Sequence, residues 1–124
     1  MRVVALDYGA ARTGVAVSDP TGTLARPLTT VLRATTDAGF NELLTVIDSA
    51  EAQLIVVGMP LTLRGERGEQ AQETEAFVER LRGASRVPVE TYDERFTSVL
   101  ADGDDARAAA HLLTDYLQWQ ANTS

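Results

Sequence analysis

The run Val3-Val4-Ala5-Leu6-Asp7-Tyr8-Gly9 constrains this chain more than any other stretch. Four consecutive apolar residues bounded by a glycine-bearing turn read as a strand buried on both faces. Asp7 stands where that strand leaves the core. A carboxylate at such a point needs water, a backbone amide, an arginine or a metal beside it. The remaining chain carries two more acidic positions at element ends and several arginines that could reach the same place.

With 124 residues, 44% of them hydrophobic, the chain can bury one ordinary core, and a single domain over 1–124 is expected. Cysteine is absent, which excludes disulfides and thiolate metal sites. No apolar run approaches membrane-spanning length or a signal-peptide core, so a cytoplasmic location is expected. Net charge is -7 and the pI is 4.6, far from the basic footprint of a typical nucleic-acid binder. Clustered carboxylates, however, are what Mg²⁺ requires. All eleven basic residues are arginine, the better residue for bidentate phosphate contact.

The chain opens with a predicted hairpin. Arg2 to Asp7 is the first strand, Tyr8 to Arg12 the turn, and Thr13 to Ser18 the second strand. Asp19-Pro20-Thr21-Gly22 matches a type I turn. That gives Asp19 a sufficient structural role. A third strand over about 23–32 completes an antiparallel meander. The pattern then changes period. Asp37, or alternatively Thr36, caps a helix whose apolar stripe is Phe40, Leu43, Leu44 and Ile47. Leu54 to Val57 is a buried strand. A polar loop carries Arg64 and Arg67. A second helix runs from Glu69 to Arg82, with Gly83 as its stop. Val87 to Tyr92 is a strand ending in Asp93-Glu94-Arg95. A last helix covers about 104–119. The order βββαβαβα implies an α/β fold: a mixed five-stranded sheet, meander plus parallel strands, with helices on both faces.

Three places carry potential chemistry. Asp7 and the Asp93-Glu94 pair both lie at the carboxyl ends of strands, where ligands of open α/β sheets collect. Asp105 shares a helical stripe with Ala108, Ala109, Leu112, Leu113 and Tyr116, so it is the carboxylate of its helix aimed at the core. Converging carboxylates bind hard divalent cations, Mg²⁺ or Mn²⁺. Two such ions about 3.5–4 Å apart activate a water and stabilise a leaving oxygen. Asp7, on the most central strand, suits the bridging position. Each residue also has a structural alternative. Asp105 suits the first turn of a helix, Asp93-Glu94-Arg95 could be a local ion pair and cap, and Asp7 could accept turn amides. Arg12, Arg64 and Arg67 could contact phosphates or simply be solvated. His111 falls on the polar face of its helix, and Tyr116 and Trp119 read as a packing anchor.

Leu6-Asp7-Tyr8-Gly9-Ala10-Ala11-Arg12-Thr13-Gly14-Val15-Ala16-Val17-Ser18-Asp19 resembles the opening motif of the YqgF family, also called RuvX. Val57-Gly58-Met59-Pro60-Leu61 with Gly65 resembles its second motif, and Tyr92-Asp93-Glu94-Arg95-Phe96-Thr97-Ser98 its third. Asp105-Ala106-Arg107-Ala108-Ala109-Ala110, continuing to Leu113 and Tyr116-Leu117, resembles its C-terminal helix. The match spans nearly the whole chain in order. It implies an RNase H-like fold related to Holliday junction resolvases and a metal-dependent nuclease that leaves a 5′-phosphate and a 3′-hydroxyl. It implies Asp7, Glu94 and Asp105 as the catalytic, metal-binding set, with Asp93 as a helper, and Arg12, Arg64, Arg67 and Arg95 on nucleic acid. The implied substrate is structured RNA, in 5′-end processing of pre-16S rRNA, or branched DNA; a non-catalytic binding module of the same fold is the alternative. Either a monomer or a homodimer fits. The chain departs from the family between Val99 and Asp105, where a longer segment is usual. So short a link leaves little chain to carry the last helix back across the sheet, and the position of Asp105 depends on it.

Overall fold

The computed structural model describes residues 1–60, 68–93 and 105–123. They form β1 (Val3–Asp7), β2 (Arg12–Ser18), β3 (Ala25–Leu32), α1 (Asp37–Ser49), β4 (Leu54–Met59), α2 (Glu69–Ala84), β5 (Val89–Asp93) and α3 (Asp105–Thr123). The strands make one sheet in the order β3-β2-β1-β4-β5. The meander is antiparallel, with Leu6 opposite Val15 and Asp7 opposite Gly14. β4 and β5 add in parallel to β1 and to each other. The expected mixed sheet is therefore present, and β1 is its central strand.

Strand parity divides the core. Val4, Leu6, Val15, Val17, Ile55 and Val57 face α1 and α2, where Phe40, Leu43, Ile47, Phe77, Val78 and Leu81 cover them. Val3, Ala5, Ala16, Leu54 and Val56 face the other way and pack under α3 through Ala109, Ala110, Leu112, Leu113 and Tyr116. Because β1 and β4 are sandwiched between helix layers, their apolar residues do not alternate with polar ones.

Local chemistry explains the boundaries, including three that differ from expectation. Thr36, not Asp37, caps α1: its backbone is extended and its hydroxyl accepts the Gly39 amide. Asp37 is free to pair with Arg80 at 2.9 Å. Gly83 does not stop α2; the helix runs on to Ala84, and Ser85 closes it by donating its amide to Leu81. Nothing obliges a glycine to terminate a helix when the following residues keep helical geometry. β5 begins at Val89 rather than Val87, because Pro88 has no amide to give the sheet and contributes only its carbonyl, to the Ile55 amide. The Asp19 turn forms as expected. Its carbonyl accepts the Gly22 amide, its carboxylate accepts the Thr23 and Leu24 amides, and Gly22 supplies the left-handed backbone at φ 71°. The Thr21 hydroxyl, and then the Leu24 and Thr23 amides, hold the Asp19 carboxyl down at about 2.

Candidate active site

β1 is apolar up to its last residue, so Asp7 leaves the sheet half-buried at the strand's carboxyl end. Its side chain takes the parity of Val3 and Ala5 and rises on the α3 face. On β2 the residue opposite is Gly14. A side chain there is impossible: a Cβ on Gly14 would overlap the carbonyl of Asp105 and press on the Ala106 amide. The missing side chain is what allows the first turn of α3 to rest directly on β2. On the other flank, β4 places Gly58 one residue beyond the Leu6–Val57 pair. Asp7 thus has a glycine beside it on each neighbouring strand.

α3 supplies the second carboxylate. Ala106, Ala108, Ala109 and Ala110 are all buried, and such short side chains let the helix axis lie close to the sheet. Asp105 opens the helix, where the dipole favours an acidic group. It is near enough to Asp7 to repel it. Burial, and then the Asp105 charge, push the Asp7 carboxyl up to about 6. No basic group among the described residues lowers it. Two carboxylates brought together without a balancing cation form a donor set for a hard divalent ion, so the residues present fit the metal that the sequence resemblance implies. Among the described residues, no group of three or more acidic or histidine side chains completes such a site.

The other expected site residues are placed as follows. Asp93 ends β5, paired with Met59 on the sheet edge. Tyr92 packs on the α3 face and Val89 on the opposite face, so parity sends Asp93 toward the α2 side, away from Asp7. Arg12 begins β2, two residues from Gly14, and is exposed. His111 is exposed on α3. Tyr116 is buried, donates its hydroxyl to Glu90 at 2.8 Å, and meets Tyr92 and Trp119 with ring centroids 5.7 and 5.9 Å away. Glu94, Arg95, Arg64 and Arg67 lie outside the described residues. Gly14 and Gly58 are the functional positions that pattern reading passed over. Their signal was present, since glycine inside a strand marks a close approach.

A family model described as "RuvX: Holliday junction resolvase" matches residues 1–119. A protein of Roseiflexus sp. (strain RS-1) named "Putative pre-16S rRNA nuclease" is 44% identical over 101 residues, covering 82% of this chain and 72% of that one. A protein of the same name from Thermoanaerobacter pseudethanolicus is 35% identical over 138 aligned positions, covering 98% of this chain and 99% of its own. That alignment is longer than the 124 residues here, so the relative carries extra residues, in keeping with the short link before Asp105. Among solved structures, T. thermophilus RuvC in complex with a Holliday junction substrate superimposes with a TM-score of 0.63 at 18% identity, covering 99% of this chain and 97% of that one. That likeness is one of fold, and the fold is RNase H-like. No helix among the described residues is long and apolar enough to cross a membrane. By the extent of the family match and the identity to its relatives, the chain belongs to the RuvX family.

Proposed function

We propose that this chain is a divalent-metal-dependent endonuclease, a single RNase H-like domain that hydrolyses phosphodiester bonds in structured nucleic acid during 5′-end processing of pre-16S rRNA. The observation that carries the reading is the Asp7–Asp105 pair, assembled over Gly14 with burial and mutual repulsion as its cost. Asp7, Asp105 and Glu94 would hold Mg²⁺ or Mn²⁺, with Asp7 offering its carboxylate from the central strand. The bound metal supplies an activated water and neutralises charge that builds on the scissile phosphate. Asp105, at a helix start fixed on β2, sets one side of the site; Asp7, held by a two-sided β1, sets its floor. Arg12 lies within two residues of Gly14 along β2, where it positions a phosphate beside the cut. Arg64, Arg67 and Arg95 extend that contact, and Asp93 is at most a helper from the far face. The reaction takes place in the cytoplasm.

A second reading has the description of the matching family model behind it: resolution of Holliday junctions. One assay separates the two. Purified protein and its Asp7→Asn variant meet a pre-16S rRNA 5′ leader and a four-way DNA junction, each with Mg²⁺, Mn²⁺ or chelator. Metal-dependent cutting of the leader, lost in the variant, supports the first reading. Cutting of the junction alone replaces it with the second, and equal cutting by Asp7→Asn refutes both.

A further inference from the structure

Charge in this chain is unevenly distributed. Residues 1–34 carry four arginines, Arg2, Arg12, Arg26 and Arg33, against Asp7 and Asp19, while the other ninety residues carry seven arginines against sixteen carboxylates. Of the two acidic groups in the meander, Asp7 belongs to the candidate active site. Asp19 is taken up by the amides of Thr23 and Leu24 and the hydroxyl of Thr21. The meander is thus the basic side of an acidic protein.

The sheet register places Arg33 and Arg26 toward opposite ends of the β3 edge. Arg12 pairs with Leu32 on the face that Gly14 turns to α3, and the Arg33 amide donates to the Ala11 carbonyl at 2.9 Å, so Arg33 marks the end nearest Asp7. Arg33 holds a left-handed backbone, φ 51°, and its carbonyl accepts both the amide and the hydroxyl of Thr36. Its Cα position is therefore tightly fixed. Arg26 pairs with Val17, five residues further along β2. There it lines a groove with Arg2, Leu28, Thr29, Thr45 and Ser49, and no carboxylate lines that groove. Five residues of strand span about 17 Å, or about five base-pair steps at 3.4 Å each.

We propose that the α1 side of the β3 edge is a phosphate-tracking surface for the duplex that flanks the cut, running from Arg33 to the groove of Arg2 and Arg26. The inference rests on the nuclease reading above and names its substrate as one with a helical flank. Three observations choose this occupant. A strand added by a partner protein is disfavoured, because Pro27 and a bulge between Val15 and Ala16 break the edge's hydrogen-bonding row. A single strand would want exposed aromatic rings to stack on, and the large exposed hydrophobics of this edge are Leu24, Leu28 and Leu32. The arginine, threonine and serine groups that remain are phosphate donors without base-reading geometry, which is how a duplex backbone is followed.

The test is equilibrium binding with chelator present, so that nothing is cut. Two hairpin RNAs are used, one with about twelve base pairs beyond the expected cut and one with about three, and the same pair in DNA. The proteins are wild type, the Arg2→Gln/Arg26→Gln double variant, Arg33→Gln, and Arg86→Gln as a control on another surface. On the long probe, the double variant should lower the slope of log affinity against log salt by about 2, and Arg33→Gln by about 1. The short probe should lose the Arg2/Arg26 effect and keep the Arg33 effect, and Arg86→Gln should change neither. An unchanged slope on the long probe overturns the proposal. So does an equal loss on both lengths, or a shift in self-association that explains the loss. Altered slopes without any metal-dependent cutting by wild type would instead retain the surface and defeat the nuclease reading.

Discussion

The two faces of the sheet are built to different ends. Under α1 and α2 the filling is bulky: Phe40, Leu43, Ile47, Phe77 and Leu81 meet Val4, Leu6, Val15 and Val57, with the Tyr8 and Phe77 rings stacked at 4.4 Å. Under α3, Leu112, Leu113 and Tyr116 fill the far part, but near the start of the helix the filling is thin, with alanines over Ala5 and Ala16 and no side chain at all on Gly14. The thick face maximises apolar burial. The thin face gives some of that up to bring a helix backbone onto a strand, and so sets two carboxylates side by side. Both faces bury a core, and only the one under α3 also carries the candidate site.

Breaking the thin face should cost function first. Asp7→Asn or Asp105→Asn should lower cleavage by about 1,000-fold or more, a loss of about 4 kcal/mol in transition-state stabilisation. Neither should unfold the protein, and Asp7→Asn should raise the melting temperature, because it removes a half-buried charge facing a like one. Loss of both activity and stability in either of these Asp variants would contradict the division. The matching change on the thick face is Leu43→Ala, which should cost 2–5 kcal/mol, roughly, in chemical denaturation. It should leave kcat of the folded fraction unchanged, since Leu43 belongs to the cluster on the α1 and α2 face, opposite the one that carries Asp7 and Asp105.

Gly14→Val should affect both properties together. It would drive the start of α3 off β2 at a cost of about 3 kcal/mol, and with Asp105 displaced, activity should fall with it. Circular dichroism and cleavage measured on the same sample would show whether the two losses coincide.

Proton linkage gives a comparable effect with an unusual sign. The Asp7 carboxyl sits near 6 in the fold, against an ordinary value of 3.8. A raised carboxyl binds its proton more tightly when folded. Its contribution is therefore fully present below 3.8 and is lost as pH rises through 6, by up to about 3 kcal/mol. Most acidic groups do the reverse. Subtracting the denaturation profile of Asp7→Asn from that of wild type should expose this trend between pH 4 and about 7; a flat difference would remove Asp7 as its source. Smallest of all is the cap of α1. Thr36→Ala should cost about 1 kcal/mol. Asp37→Ala, which breaks an exposed pair with Arg80, should cost about 0.5 kcal/mol or less.

Much of this was legible in the sequence because it depends on nearest neighbours and period. The β1 run, the Asp19 turn, the stripe of α1 and the alanine face of α3 each read correctly from local spacing. Asp105 could be assigned to the core side of its helix by counting turns. The α1 cap, the end of α2 and the start of β5 were misplaced by one or two residues, because competing groups there differ by about 1 kcal/mol and neighbouring contacts decide.

What the sequence determined by itself was the kind of residue at each element end: a carboxylate closing a strand buried on both faces, another opening a small-residue helix, and few carboxylates beside the arginines of residues 1–34. It also determined the order of those elements along the chain. Only the tertiary structure decided which carboxylates meet. Asp7 and Asp105 are 98 residues apart in the chain, and they face each other because Gly14 lets α3 touch β2. Asp93, within the stretch that resembles the family's third motif, is turned to the other face by the parity of β5. Local pattern specifies what a side chain is and which way its own element turns it. Proximity across strands is set by pairing register and by how closely layers approach, and both are properties of the packed sheet.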